Sequence, residues 1–127
     1  MRVLVADESM IVRSLVRARL SADGHDVVEA RDGPEAVESA RRERPDVIVL
    51  DRKLPKMDGF EVCTRLRRDP ASRSVGILML TDHRGEHTRV ESVERGADVF
   101  MSKPFSPREL SLRVRLLGSR RPLAATG

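Results

Sequence analysis

The feature that most constrains the fold is residues 47–51, Val-Ile-Val-Leu-Asp, an apolar run that ends in a carboxylate. Such a run, rich in β-branched residues and bounded by turn formers, is typical of a strand buried on both faces of a parallel sheet. Pro55 and Asp58-Gly59 follow and predict a tight loop. Ligands of open α/β sheets bind at the carboxyl ends of the strands. The segment therefore presents Asp51 as a candidate nucleophile or metal ligand, the simpler alternative being an Asp that only ends a strand.

Four further apolar segments of strand length alternate with segments of helical periodicity. The predicted strands are residues 2–6, 26–30, 47–51, 75–80 and 99–101. The apolar positions of the five intervening helices are Met10, Ile11, Leu15 and Ala18; Ala36, Val37 and Ala40; Phe60, Cys63 and Leu66; Val90 and Val93; and Leu110, Val114 and Leu117. Ser9 is a candidate N-cap, and Gly96 a candidate C-cap. A strand and a helix repeated five times predict an α/β fold, a doubly wound parallel sheet with helices on both faces.

Composition sets the class of protein. The 127 residues, 39% hydrophobic and 35% charged, fit one globular domain with its own core. The net charge of +4 does not indicate nucleic-acid binding by this domain, because acidic and basic residues are interleaved throughout. No apolar run approaches the roughly 20 residues of a membrane span, and we expect no membrane association. The single cysteine, Cys63, excludes an internal disulfide and is predicted to be a core residue of a cytoplasmic protein.

Polar side chains follow four of the five predicted strands where each strand ends. They are Asp7 and Glu8, Asp51, Thr81 and Lys103. If the first and third strands are neighbours, three carboxylates crowd together, which is unfavourable unless a cation lies among them. Oxygen ligands without His or Cys favour Mg²⁺, or Mn²⁺ in its place. An added ammonium and hydroxyl suit a phosphoryl group, and a carboxylate acceptor would form an aspartyl phosphate.

Each of these residues has a simpler interpretation when it is taken alone. The acidic pair would favour the N-terminus of the first helix. Thr81 would bond to backbone at a strand end, and Lys103 would be a solvated lysine. Four such coincidences at one edge of a sheet favour a joint role.

The whole set resembles the receiver domain of two-component response regulators over residues 2–117. The residues that carry the resemblance are Asp7-Glu8, Asp51 with Leu54-Pro55 and Met57-Asp58-Gly59, Thr81, and Gly96-Ala97-Asp98 with Lys103-Pro104-Phe105. The resemblance implies a flavodoxin-like sheet of strand order 2-1-3-4-5. It also implies that Asp51 accepts a phosphoryl group from the phosphohistidine of a sensor histidine kinase or a phosphotransfer protein. The domain would then be a switch, not an enzyme, catalysing only its own phosphorylation and dephosphorylation.

The resemblance assigns further roles at the same edge of the sheet. Mg²⁺ would be held by Asp7, Glu8, Asp51 and the backbone carbonyl of Lys53. Lys103 would contact the phosphoryl group and form a cis peptide bond with Pro104. Thr81 would move toward the phosphate while Phe100 rotates inward, which reshapes the surface of the fourth helix, fifth strand and fifth helix.

Two positions at this edge depart from the usual pattern of that family. Glu8 stands where the second acid is normally Asp, so the metal has to accommodate an extra methylene. Asp82 follows Thr81 where a small residue is common, and its charge would narrow access to Asp51 or repel an anionic phosphodonor. Lys53 would offset that charge. We expect Lys53 and Asp82 to tune the lifetime of the phosphoryl group.

Two weaker patterns involve surface residues. His83 and His87 lie four apart and could form a metal pair, but without a third ligand nearby they are expected to be solvated. The last helix resembles that of receivers joined to winged-helix DNA-binding domains, which dimerise through the surface of the fourth helix, fifth strand and fifth helix. The candidate residues for a homodimer on that surface are Glu109, Arg113, Asp98 and Arg89.

Three functions are compatible with these residues. The first is the phosphorylation-dependent switch. The second is a Mg²⁺-dependent phosphohydrolase, which generally needs an acid two residues after the nucleophile, where this chain has Lys53. The third is a degenerate receiver that acts only as a binding module. We divide the chain into a receiver domain, residues 1–117, and a flexible tail or linker, residues 118–127; the sequence does not identify the output.

Overall fold

The computed structural model describes the backbone of residues 1–82 and 86–126, and the side chains of residues 1–82 and 90–119. Strands and helices alternate along these residues. The strands are β1 (Arg2–Ala6), β2 (Asp26–Ala30), β3 (Val47–Asp51), β4 (Gly76–Thr81) and β5 (Val99–Ser102). The helices are α1 (Met10–Ala22), α2 (Gly33–Glu43), α3 (Gly59–Arg68), α4 (Glu86–Glu94) and α5 (Pro107–Thr126).

The strands form one parallel sheet in the order β2-β1-β3-β4-β5. This order and the doubly wound α/β class confirm the predicted fold. The central strand is β3, which pairs with β1 on one side and β4 on the other, and all of its residues are buried. The apolar run of residues 47–51 therefore lies where its hydrophobicity on both faces is needed.

Alternation along the strands divides the core into two layers. On β1, Leu4 packs into one layer, and Val3 and Val5 pack into the other. The first layer lies beneath α2 and α3, and the second beneath α1 and α5. The inward residues predicted for α5, which are Leu110, Val114 and Leu117, and those for α3, including Cys63, are all buried.

Short polar side chains begin the helices that follow the strand ends. Ser9 accepts a hydrogen bond from the backbone N–H of Val12, as predicted for the N-cap of α1. Asp32 and Asp58 cap α2 and α3 in the same way. Each such cap typically stabilises a helix by about 1 kcal/mol. Caps at these positions also define where each loop at the strand ends gives way to a helix.

The predicted core face of α1 is wrong. Met10, Ile11 and Leu15 are 68%, 74% and 58% exposed, whereas Val16 and Leu20 are fully buried. The helix carries two apolar stripes, and the one that runs through Val16 and Leu20 faces the sheet. The sequence did not distinguish the stripes, because both have helical spacing. In α4 the predicted apolar residues Val90 and Val93 are likewise exposed, at 49% and 61%.

The last helix is longer than predicted. We expected it to end near Leu117, but α5 continues to Thr126. Gly118 does not end the helix, and it lies against Met1, whose sulfur would be 2.0 Å from a Cβ at this position. The Leu, Arg and Ala residues that follow favour helix. The division of the chain at residue 117 stays a prediction, and the side chains of His83 and His87 lie outside the described residues.

Candidate functional site

The carboxyl ends of the neighbouring strands β1 and β3 bring two acidic side chains to one edge of the sheet. Asp51 is the last residue of β3, and Asp7 directly follows β1. Both are buried, with exposures of 7% and 2%. Buried carboxylates that lie close together repel each other and lose hydration, so they need a compensating positive charge.

Lys103 provides part of that charge from the far side of the sheet. Its Nζ lies 2.8 Å from Oδ2 of Asp7 and 3.4 Å from Oδ2 of Asp51. The backbone N–H of Lys103 donates to the carbonyl of Thr81 at 2.7 Å, which ties the end of β4 to the loop after β5. Thr81 is itself buried. The peptide bond between Lys103 and Pro104 is cis, as the resemblance implied.

The electrostatics of the site show that one ammonium does not balance two carboxylates. Burial, together with the charge of Asp7, raises the pKa of Asp51 from 3.8 to about 6, although Lys103 and the backbone N–H of Lys53 act to lower it. Burial alone would lower the pKa of Lys103, but its hydrogen bond to Asp7 and the charge of Asp51 raise it overall. The site therefore has a deficit of positive charge at neutral pH.

Short backbone contacts hold the loop after β3 against the end of that strand. The N–H of Gly59 donates to the carbonyl of Arg52 at 2.7 Å, and the N–H of Lys53 donates to Oδ1 of Asp51 at 3.3 Å. A Cβ on Gly59 would lie 2.4 Å from the carbonyl oxygen of Asp51. Only glycine allows this approach, because the obstructing atoms belong to the backbone.

The start of α2 braces the same loop from its other side. The N–H of Gly33 donates to the carbonyl of Pro55 at 3.1 Å. A Cβ on Gly33 would lie 2.1 Å from the carbonyl oxygen of Met57. Lys56, whose backbone has φ 71°, places its ammonium 3.5 Å from the N-cap carboxylate Asp32. Sequence reasoning identified this loop by its Pro and Gly but did not predict that α2 supports it.

A residue that sequence reasoning missed holds the loop between β1 and α1. Arg13 is buried, and its guanidinium donates to the carbonyls of Asp7 at 2.7 Å and Glu8 at 3.0 Å. Its Nε donates to Glu29 on β2 at 3.0 Å. The available signal was a charged residue on the same helix face as the buried Val16 and Leu20.

The donor set at this edge fits a hard divalent cation. Asp7, Asp51 and Lys103 together carry one excess negative charge when all are ionised, and the available ligands are oxygens, which Mg²⁺ and Mn²⁺ prefer. The side chain of Glu8 is exposed. Within the described residues no three acidic, histidine or cysteine side chains are already grouped to hold a metal. The sequence-predicted ligands Asp7 and Asp51 thus meet, whereas Glu8 lies at the solvent side of them.

Lys53 and Asp82, which follow the ends of β3 and β4, form an ion pair. Nζ of Lys53 lies 3.9 Å from Oδ1 of Asp82, and the two side chains are 58% and 63% exposed. An exposed pair of this length is worth less than about 1 kcal/mol.

The surface formed by α4, β5 and α5 contains a groove of about 750 Å³. Phe100 is half-buried and lines it, together with Val93, Phe105, Glu109 and Arg113.

Three of the four residues proposed for a dimer on this surface already have partners within the chain. Glu109 and Arg113 pair with each other at 3.8 Å. Asp98 accepts hydrogen bonds from Arg67 and from the N–H of Ile77, each at 2.9 Å, so it is engaged within the domain. The side chain of Arg89 lies outside the described residues.

Two other sequence expectations concern residues away from this edge. Cys63 is buried, and burial raises the pKa of its thiol to about 11, which agrees with a core residue and not with a reactive thiolate. In the described part of the chain, no helix combines the length and the apolar character that crossing a membrane requires.

Comparison with known proteins identifies the family. The model of the response regulator receiver domain matches residues 3–115. The chain is 44% identical over 124 residues to the alkaline phosphatase synthesis transcriptional regulatory protein PhoP of Bacillus subtilis, which covers 98% of this chain and 51% of that protein. It is 40% identical over 116 residues to the DNA-binding dual master transcriptional regulator RpaA of Synechocystis sp., which covers 91% of this chain and 48% of that protein.

A solved structure, the receiver domain of the Francisella response regulator 1452, superimposes with a TM-score of 0.89 at 30% identity and covers 94% of this chain and 98% of that one. The chain spans about half the length of the curated relatives it matches. The fold, the order of the strands and the matched residues agree, and the chain belongs to the family of response regulator receiver domains of two-component systems.

Proposed function

We propose that this receiver domain is a phosphorylation-activated signalling switch in which Asp51 accepts a phosphoryl group from a phosphohistidine. The donor would be a sensor histidine kinase or a phosphotransfer protein. The observation that carries the proposal is the contact of Lys103 Nζ with both Asp7 and Asp51, at 2.8 Å and 3.4 Å, at the ends of adjacent strands. An ammonium so placed can neutralise a phosphoryl oxygen as well as a carboxylate.

The phosphoryl transfer requires mainly that the reacting groups are correctly positioned. A carboxylate oxygen of Asp51 attacks phosphorus, the P–N bond of the phosphohistidine breaks, and its electron pair leaves with the imidazole. The raised pKa makes the Asp51 carboxylate more basic and so more nucleophilic. A carboxyl group with a pKa of about 6 is still about nine-tenths ionised at pH 7. Lys103 stabilises the charge on the phosphoryl oxygens, and the hydroxyl of Thr81 donates to one of them.

The implied metal fits the acidic side of this site. Asp7, Glu8, Asp51 and the carbonyl of Lys53 would hold Mg²⁺, or Mn²⁺ in its place. When bound, the ion would neutralise charge on phosphoryl oxygens, as Lys103 does. Asp7 and Asp51 are buried at the strand ends, and Glu8, whose side chain is exposed, would join them from the solvent side.

The surface of α4, β5 and α5 would transmit the phosphorylation signal to an effector. We propose that Thr81 moves toward the bound phosphoryl group and that Phe100, which lines the groove on this surface, rotates inward. The N–H of Lys103 donates to the carbonyl of Thr81, and this hydrogen bond connects the end of β4 to the loop that follows β5. This rearrangement would expose or remove a binding surface for an effector or for a second copy of the chain.

The relatives PhoP and RpaA are named as transcriptional regulators. We propose that this receiver also controls transcription, with DNA contact made outside the receiver domain. A phosphorylation-induced homodimer through the same surface would use Glu109 and Arg113, which are 53% and 48% exposed. Asp98 is a weaker candidate because Arg67 already binds it. The reducing cytoplasm remains the compartment we propose.

The experiment is incubation with a small-molecule phosphodonor and Mg²⁺, with intact mass measured for the wild type and for Asp51→Asn. We expect a gain of one phosphate in the wild type alone, abolished by EDTA. No gain in the wild type would favour the degenerate, binding-only receiver. A gain that decays within seconds, with continuous turnover of the donor, would favour a phosphohydrolase.

A further inference from the structure

Arg13 differs from most arginines of this chain because its side chain is buried, with the residue only 8% exposed. Burying a guanidinium is unfavourable unless nearly all of its donors are satisfied. Three acceptors bind its Nε and one of its two terminal nitrogens: the carbonyls of Asp7 and Glu8 and the carboxylate of Glu29, at 2.7, 3.0 and 3.0 Å. Two of these acceptors belong to the acidic pair at the end of β1.

Other hydrogen bonds also hold the loop between β1 and α1, so we expect that loop to fold without Arg13. The N–H of Asp7 continues the sheet by donating to Ala30, and the N–H of Ser9 donates to the carboxylate of Asp7. The N-cap bond of Ser9 then starts α1. What Arg13 adds is a simultaneous hold on both carbonyls of the pair, which sets the relative orientation of the two peptide planes.

Glu29 holds Arg13 in turn. Its carboxylate bonds Arg13 through one oxygen and Arg17 through the other, at 3.0 Å and 2.5 Å. The hydrogen bond from Arg17, and a further one from Arg13, lower the pKa of the Glu29 carboxyl, so it stays ionised. Arg17 is half-exposed and has no described bond to the loop of Asp7, which makes it a matched control for Arg13.

We propose that Arg13 is a positioning residue for divalent-cation binding, which holds the backbone of Asp7 and Glu8 so that their carboxylates can share one ion, and that Glu29 orients it. This inference rests on the proposed function. The physical reason is geometric. Mg²⁺ demands ligands at about 2.0–2.1 Å in a near-octahedral arrangement. Since an Asp side chain is short, its carboxylate follows the position of its own backbone closely, and a ligand site tolerates displacements of only about 0.5 Å.

The test measures Mg²⁺ affinity of the unphosphorylated protein by titration calorimetry with MgCl₂, repeated with MnCl₂. The variants are Arg13→Lys, Glu29→Gln and the control Arg17→Gln. Lysine keeps the charge but cannot bridge two carbonyls and a carboxylate in one plane. Loss of an outer partner of a metal ligand typically costs 10–100-fold in affinity. We expect Arg13→Lys to weaken Mg²⁺ binding by about tenfold or more, Glu29→Gln to weaken it less, and Arg17→Gln to stay within about twofold of the wild type.

Urea denaturation in EDTA separates positioning from folding. A folded Arg13→Lys protein with reduced stability and unchanged Mg²⁺ affinity would overturn the proposal, as would equal weakening by Arg17→Gln. If Arg13→Lys does not fold, the Mg²⁺ affinity of Glu29→Gln tests the proposal instead, and an unchanged affinity in that variant overturns it. A wild type that binds no Mg²⁺ also overturns it. Normal Mg²⁺ binding without phosphate uptake would instead count against the proposed function alone.

Discussion

Replacing Asp51 by Asn should stabilise the metal-free protein, and the gain should depend on pH. The folded state holds the Asp51 proton up to a pKa of about 6, whereas the unfolded chain releases it near 3.8. Unfolding therefore releases a proton between these values, and the stability of the wild type falls as pH rises from about 4 to 6 and then levels off. The two values differ by about two pH units, which corresponds to about 3 kcal/mol.

This magnitude is an upper limit for the difference between Asp51→Asn and the wild type at about pH 7.5. At about pH 3.5 the carboxyl group is protonated in the folded state and mostly protonated in the unfolded state, so the difference should become small. Titrating groups away from this site are common to the two proteins and cancel in the comparison, whereas the loss of the Asp51 charge also acts on Lys103. Lys103 keeps its bond to Asp7 in the variant, so its charge stays paired.

The assay is urea denaturation followed by far-ultraviolet circular dichroism, because the chain has no Trp or Tyr. Measurements in EDTA should run from about pH 3.5 to 8. The control is Asp82→Asn, whose side chain is 63% exposed and whose effect should stay below about 1 kcal/mol at every pH. Adding Mg²⁺ at about pH 7.5 should stabilise the wild type more than Asp51→Asn. A stability difference that is the same at both ends of the pH range would refute the reasoning.

Three further predictions concern the same edge of the sheet. Gly59→Ala should destabilise the protein by about 1–3 kcal/mol in urea denaturation and slow phosphorylation, because its Cβ would lie 2.4 Å from a backbone oxygen. Unchanged stability in this variant would show that the loop moves to accommodate the methyl group. With an anionic phosphodonor, Asp82→Ala should speed phosphorylation and Lys53→Ala should slow it, each by up to about fivefold at low salt and less at high salt; unchanged phosphorylation and hydrolysis rates would exclude tuning. Leu50→Ala should cost about 2–5 kcal/mol by leaving a cavity in the central strand, whereas Leu116→Ala, 52% exposed, should cost less than about 1 kcal/mol.

Much of the fold followed from local pattern. The strand of residues 47–51 was predicted with its observed bounds. An uninterrupted apolar run that ends in a charged residue is typical of a central strand that is buried on both faces of an α/β sheet. The convergence of Asp7, Asp51 and Lys103 was also predictable, because parallel strands end at the same edge. The distances between these three side chains were not predictable, because they depend on the adjacency of β1 and β3 and on the rotamers of buried side chains.

The sequence misassigned the inner face of α1 for an identifiable reason. Ile11 and Leu15 have the same spacing as Val16 and Leu20, so periodicity gives two equivalent solutions. The choice between them is made by the rotation of the helix about its axis, which the bonds of Arg13 to the preceding loop and to β2 constrain. The end of α5 was missed likewise, because Gly118 is a usual helix-ending residue but here lies within the helix, against Met1 from the other end of the chain.

The amino-acid sequence by itself determined the alternation of strands and helices, the parallel sheet and the set of polar residues at the strand ends. These depend on the period of hydrophobicity and on turn chemistry, which are local along the chain. Only the tertiary structure decided which side of α1 is buried, that Arg13 supports the acidic pair, and that burial beside Asp7 raises the pKa of Asp51. These properties arise from groups distant in sequence that share a low-dielectric space, and the energies of such contacts depend on distances that no local pattern contains.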